Sequence, residues 1–317
     1  MSSSPLRIVF FGTPAFAAPT LARLLDSPHQ VVGVVTQPDR ARGRGQKVSE
    51  APVKALAVER GIAVLQPEKL RRDEWEAPLA ALGADIGVVA AYGKILPDWL
   101  LAQPRLGLIN VHASLLPRHR GAAPVHRAVM AGDAVTGVTI MRVVKALDAG
   151  AMMAVVETPI GPDETSVEVE QRLATLGADL LMDVVHRLAQ GPVDEIPQDD
   201  QAATYAPKIT REDGPLDWTR PAQALHDQVR GLHPWPHAST TLEGQRLIVH
   251  RSRVGGPATE PVAPGTVVAA ARGTLAVACG DGRTLDLLVI QPEGRRAMAA
   301  AEFLAGHRVV PGVRLGR

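Results

Sequence analysis

Apolar positions along the chain fall into short runs divided by polar, Gly- and Pro-marked turns. Leu6 to Phe11 is the first run and ends at Gly12-Thr13-Pro14. The alanine- and leucine-rich stretch Ala15 to Leu25 then predicts a helix. Gln30 to Thr36 predicts a second strand, and Gln37-Pro38-Asp39 opens a polar loop. Further helices are predicted over 51–60 and 74–82, and strands over 62–65, 85–91 and 106–112. Strands and helices alternating at this spacing argue for a Rossmann-like, mostly parallel sheet with helices on both faces. Runs 136–143 and 152–158 are further strand candidates, and 166–188 has helical length and spacing.

The texture changes beyond the Gly-, Pro-, Asp- and Gln-rich stretch 191–205, which reads as an interdomain linker. A helix is predicted over 222–230. Short β-prone runs follow at 238–242, 246–250, 265–268, 275–279 and 284–290, broken by glycine, proline and charged turns. That spacing suggests a small barrel or sandwich. The expected division is a catalytic domain over 1–190, a linker over 191–208 and a second domain over 209–317.

Composition changes this picture little. At 317 residues, 46% hydrophobic and 21% charged, the chain has the balance of a globular protein of two domains. Net charge is +1, but it is unevenly spread: residues 1–207 sum to −3 and residues 208–317 to +4. A basic C-terminal part is compatible with a polyanion partner, and ordinary scatter of surface charge explains it as well. The single cysteine, Cys279, excludes an internal disulfide and a multi-cysteine metal site. It lies in an apolar run and reads as a buried structural thiol. No stretch reaches the roughly 18–20 apolar residues of a membrane span. The opening Met1-Ser2-Ser3-Ser4-Pro5 is short for a targeting peptide, so the cytoplasm is the expected compartment. The first turn lacks Gly-x-Gly-x-x-Gly and no Walker A sequence occurs, so no nucleotide cofactor is expected.

The chemistry concentrates after the strand at 106–112. Side chains two apart on a strand share a face, so Asn110 and His112 should project together from its carboxyl end, where open α/β sheets bind ligands. An amide that steadies an oxyanion beside an imidazole that moves protons suits acyl-type transfer. Asp148 taken alone reads as a turn residue before Gly150, although a carboxylate there could orient the imidazole and stabilise its charged form. Ser114 is a tempting nucleophile, but Gly-x-Ser-x-Gly is absent, and a turn-stabilising hydroxyl is the plainer reading. Asn110-x-His112, Ser114-Leu115-Leu116-Pro117, Arg120-Gly121-Ala122-Ala123-Pro124 and Leu147-Asp148-Ala149-Gly150 together resemble the active-site set of the folate-dependent formyltransferases.

The resemblance covers nearly the whole chain and is closest to the branch that formylates methionyl-tRNA. It implies that Asn110, His112 and Asp148 are catalytic. It implies 10-formyltetrahydrofolate as co-substrate with no metal, in a pocket formed by Ala91, Tyr92, Gly93, Ser114, Leu115, Leu116, Pro117 and Leu147. A simple β-to-α turn is the plain alternative for 90–97. Gln37-Pro38-Asp39-Arg40-Ala41-Arg42-Gly43-Arg44-Gly45-Gln46-Lys47 holds four basic residues in eight positions, among glycines that let backbone approach a ligand. It resembles the family's tRNA-entering loop, which implies that Arg40, Arg42, Arg44 and Lys47 bind tRNA. Arg42 departs from the pattern, where a small residue is common.

The Phe11-Gly12-Thr13-Pro14-Ala15-Phe16 turn resembles the family's first turn near the methionyl end, though packing explains Phe16 equally well. Leu232-His233-Pro234-Trp235-Pro236 and the Gln291 to Met298 stretch resemble the family's C-terminal OB-like β-barrel, and make Arg295 and Arg296 candidates for the tRNA backbone. An exposed turn without a partner is the alternative for that pair. The implied partners are initiator Met-tRNA and the folate, with the chain a monomer. A formyltransferase acting on an amino sugar or purine precursor, or a hydrolase of the same folate, stays open. The basic loop argues against the first, and the Arg120 and Thr136 to Met141 stretches against the second.

Overall fold

The computed structural model describes residues 4–42, 47–258, 260–271 and 273–316. Contacts divide the chain into two compact units. The first comprises residues 1–124, 136–158 and 170–206, and the second residues 125–135, 159–169 and 207–317.

The first unit is built on a sheet of seven strands. In chain order these are β1 (Arg7–Gly12), β2 (Gln30–Val35), β5 (Val64–Leu65), β6 (Ile86–Ala90), β7 (Leu108–His112), β9 (Val135–Arg142) and β10 (Met152–Pro159). Strands β3 (Arg40–Arg42), β4 (Lys47–Ser49) and β8 (Arg120–Gly121) lie outside it. The spatial order is β10-β9-β7-β6-β1-β2-β5. The strands from β7 to β5 are parallel, and β9 runs antiparallel to β7.

Helices α1 (Ala18–Leu25), α2 (Pro52–Glu59), α3 (Arg72–Ala80) and α4 (Asp98–Leu101) make the crossovers. Continuous burial along β6 and from Ile8 to Gly12 of β1 marks strands covered on both faces. The chain leaves β1 toward β2 on one side and returns through β6 and β7 on the other. The carboxyl ends of these strands, at Gly12, Ala90 and His112, therefore border the crevice where such sheets bind ligands.

Two stretches differ from the sequence expectation. The polar loop after Asp39 carries the antiparallel pair β3–β4, whose alternating basic side chains leave no apolar pattern to read. The expected linker is ordered against the first unit as far as Ala206. Ile196 bridges Met152, and β11 (Tyr205–Ala206) runs parallel to β8. Its contacts are made by backbone and by polar side chains, and composition alone reads such residues as solvated.

The second unit contains α5 (Pro124–Ala131), which sequence patterning did not show, and the first turn of α6 (Ser166–Gln190). Its sheet follows the order β12 (Ala238–Leu242), β13 (Gln245–Pro257), β16 (Arg283–Pro292), β15 (Thr274–Ala278), β14 (Val267–Ala271), and β17 (Met298–Ala299) pairs with β16. Every pairing is antiparallel, and three register shifts along β13 bend the sheet. Helix α7 (Ala222–Gly231) and helix α8 (Ala300–Gly306) bring Leu225, Val229 and Phe303 to a core with Trp218, Val249, Val277, Leu285 and Ile290. Cys279 is buried, as expected, and burial pushes its thiol up to about 12. Among the described residues no helix is long and apolar enough to cross a membrane.

Candidate active site

Ile109 and Val111 of β7 are buried, and the alternate positions Asn110 and His112 share the opposite face. His112 is 5% exposed. Its Nε2 lies 3.1 Å from the carbonyl oxygen of His119, an acceptor, so Nε2 carries the proton and donates. His119 sits at φ 58°, in the left-handed turn that aims this carbonyl inward. Nδ1 is thereby left with its lone pair, 3.7 Å from Asp148 Oδ2. Asp148, itself at φ 47°, is fixed by the Gly121 N–H, which donates to Oδ2 at 2.8 Å.

The tautomer is therefore set by a backbone carbonyl and not by Asp148, as the sequence had suggested. Burial holds the His112 imidazole below its ordinary pKa, opposed by the Asp148 carboxylate and the His119 carbonyl. A neutral ring with an unprotonated Nδ1 can accept a proton near neutral pH, and the adjacent carboxylate then stabilises the cation. The Asn110 amide is half-buried and hydrogen-bonds to no other described residue, so it is available to a ligand.

A polar bracket that sequence reasoning missed holds the Asp148 turn. Gln198 Nε2 donates to the carbonyls of Asp148 and Gly150 at 2.8 and 2.7 Å. Its Oε1 accepts from the buried guanidinium of Arg120 at 3.0 and 2.8 Å, and Arg120 also pairs with Asp200. No periodicity announces Gln198, because it lies in the stretch read as linker. Gln198→Leu should fold with a loss of about 1–3 kcal/mol from the unpaired groups. It should lower kcat by up to about 10²-fold through displacement of the turn. Steady-state kinetics and thermal unfolding on one preparation separate the two effects.

Ser114 is fully buried and donates to the Arg118 carbonyl at 2.6 Å, which makes it a turn former. Leu116 N–H is held by Thr139 Oγ1 at 3.2 Å. Leu115 and Pro117 are half-buried, and Leu116 is buried. Ala91 and Gly93, beyond β6, are exposed and sit at positive φ. The Tyr92 ring is 1% exposed and packs edge-on against Phe11 at 5.7 Å, so only its backbone can serve a pocket. Even that carbonyl accepts from Gln37 at 2.8 Å. Leu147 is 61% exposed and Ile95, which the sequence reading left unassigned, is 90% exposed. The Lys145–Asp98 ion pair, at 2.8 Å, links the stretches that carry them.

Of the basic-loop candidates, Arg44 lies outside the described residues. For Arg40, Arg42 and Lys47 the backbone alone is described, in the β3–β4 pair. Arg295 and Arg296 are exposed at the turn between β16 and β17, and Arg296 pairs with Glu302.

Residues 6–185 match the formyl transferase family, and residues 208–308 match the formyl transferase C-terminal domain. The chain is 46% identical over 311 residues to a methionyl-tRNA formyltransferase of Geobacter metallireducens, covering 98% of this chain and 99% of that one. It is 47% identical to that of Methylococcus capsulatus, covering 98% and 100%. Among solved structures, an N-formyltransferase from Helicobacter canadensis shares the fold with a TM-score of 0.67 at 14% identity, over 91% of this chain and all of that one. HypX from Aquifex aeolicus, in complex with tetrahydrofolic acid, does so at 0.62 and 14%, over 98% and 51%.

Proposed function

The chain belongs to the formyl transferase family, and from that premise we propose that it carries the formyl group of 10-formyltetrahydrofolate to the α-amine of methionine on initiator Met-tRNA, giving formylmethionyl-tRNA for translation initiation. The observation that carries this reading is near-full-length kinship, across both matched regions, with enzymes of that activity. The site supports it with an unengaged amide beside a buried neutral imidazole and a held carboxylate.

The reaction asks for a proton to leave the attacking amine, a proton to reach the departing folate nitrogen, and charge to be held on the formyl oxygen in between. His112 Nδ1 takes the first proton, directly or through water, and returns it to the folate. The Asn110 amide and the protonated His112 hold the oxygen. Asp148 stabilises the imidazolium formed midway. The exposed backbone at Ala91 and Gly93 suits the hydrogen-bonding edge of a pterin, and Leu115, Leu116, Pro117 and Leu147 suit its faces. Ile95 joins that apolar set. Tyr92 and Ser114 act through the backbone and the turn they build.

Acceptor choice rests on the basic segment Arg40, Arg42, Arg44 and Lys47, with Arg295 and Arg296 of the C-terminal domain, 209–317, on the tRNA backbone. The enzyme works as a monomer in the cytoplasm. Arg44→Ala should raise KM for Met-tRNA about tenfold, with a weakened salt dependence, and leave KM for the folate within about twofold. Equal rises for both substrates would contradict a tRNA role for the loop. Steady-state titration of each substrate at two salt concentrations makes the comparison.

A further inference from the structure

Three histidines meet in the second unit, in a place the formyl-transfer chemistry does not use. His233 and His237 lie in the turn after α7, which the His237 N–H closes by donating to the Leu232 carbonyl at 3.1 Å. His250 lies on β13. The β12–β13 register pairs Ala238 with Val249, which sets His237 opposite His250. Ring centroids are 5.3 Å apart for His233–His237 and 4.3 Å for His237–His250. One ring nitrogen from each residue lies within 4.8 Å of the other two.

Each of the three imidazoles has a ring nitrogen open to a ligand. Nδ1 of His233 and Nδ1 of His237 are buried without a hydrogen-bond partner, an unfavourable state that a ligand would relieve. His250 Nε2 lies 2.9 Å from Gln291 Oε1. The Gln291 amide is itself oriented, since its Nε2 donates to the Arg295 carbonyl at 2.7 Å. Oε1 is thus an acceptor, the His250 proton sits on Nε2, and Nδ1 keeps its lone pair. An amide or carbonyl that fixes the far nitrogen is the usual outer partner of a metal-bound imidazole. Burial, followed by the charges of His250, His233 and Arg246, pushes His237 down to about 4. Burial also lowers His233, with His250 and Arg251 acting the same way and Glu168 against them.

We propose that His233, His237 and His250 form a site for one transition-metal dication, zinc(II), which ties the turn after α7 to β13. Neutral imidazoles suit zinc, and tetrahedral bonds of roughly 2.0–2.1 Å bring ligand nitrogens to about 3.3 Å, within reach of small ring rotations. A fourth position is left to water. Arg246 and Arg251 oppose added positive charge, while the Gln291 bond and Glu168 favour it.

The test uses the full chain without a histidine tag, cleared of metal by a chelator, so that turnover is not the readout and the result is separate from that for formyl transfer. Zinc(II) alone is titrated by calorimetry, metal content is counted after gel filtration, and cobalt(II) is added as a spectroscopic probe. We expect one zinc per chain, a rise in Tm and visible cobalt absorption of a low-symmetry, imidazole-bound ion. His237→Asn and His250→Gln should each weaken binding at least about 100-fold, beyond the 10–100-fold typical of an outer partner. Gln291→Leu, which removes no ligand, should weaken it by about tenfold. His29→Gln, in the separate His29–His186 pair, should change nothing. No zinc retained, or zinc retained equally by wild type and the His237→Asn/His250→Gln double variant, would overturn the site.

Discussion

Asn110→Ala and His112→Ala are each expected to lose roughly 10²–10³-fold in kcat, the scale set by removal of one preorganised oxyanion donor. Asn110→Ala is the cleaner of the two. Its amide bonds to no other described residue, so the fold should keep its Tm. His112→Ala also empties a buried position and frees the His119 carbonyl, so a loss of about 1–3 kcal/mol should accompany the loss of rate. His112→Gln, which can still donate to that carbonyl, should recover stability without recovering turnover.

The pH profile tests the partner. Burial depresses His112, so the acid limb of kcat/KM should lie below the ordinary imidazole value of about 6.5. The Asp148 carboxylate favours the charged ring, so Asp148→Asn should move the limb lower still as it reduces kcat. Linkage runs the same way. A ring held neutral in the fold contributes stability above pH 6.5, and that contribution is lost as pH falls through the depressed value. Near-wild-type turnover by either alanine variant would remove its residue from the mechanism.

Gly150→Ala is expected to be the most damaging change to the site that alters no functional group. A Cβ built there stands 1.9 Å from the Arg142 carbonyl oxygen and 2.7 Å from its carbon. Both are backbone atoms, and the Arg142 N–H donates to Ala151 at 2.9 Å, so neither strand nor turn can yield alone. Overpacking commonly costs about 1–3 kcal/mol, and a backbone clash belongs at or above the top of that range. At about 2–4 °C per kcal/mol for units of this size, Tm should fall by about 10 °C. Because the Gly150 carbonyl shares the Gln198 amide with Asp148, kcat should fall with it. Gly191→Ala, where an added Cβ meets nothing within 4 Å, should leave Tm within about 1 °C. Scanning calorimetry of the three proteins checks this.

What could be read from the sequence follows from the range of the interactions. Periodicity and spacing predicted β6, β7 and β12: β6 is apolar and buried along its whole length, β7 is apolar up to the polar pair at its carboxyl end, and β12 is a short β-prone run bounded by turn residues. Asn110 and His112 were legible as a pair because a strand's alternation alone puts them on one face. The Asp148 turn was legible only through family resemblance, since its neighbours, the Gly121 N–H and the Gln198 amide, are 27 and 50 residues away. The tautomer of His112 was hidden, because the His119 carbonyl that sets it belongs to the backbone and depends on a left-handed turn no residue type demands. The place of the Tyr92 ring was hidden as well, because it completes the core of Phe11, Val35, Leu79 and Leu100 through contacts distant in sequence. The linker misled, because Gln198 and Arg120 build order from polar groups.

The most direct test of the central claim is transfer of labelled formyl from 10-formyltetrahydrofolate, with charged initiator Met-tRNA, charged elongator Met-tRNA and no acceptor assayed side by side. The account predicts label on initiator tRNA alone, and its loss in Asn110→Ala. Labelled formate released without acceptor, with no labelled tRNA, would contradict it and make the chain a hydrolase.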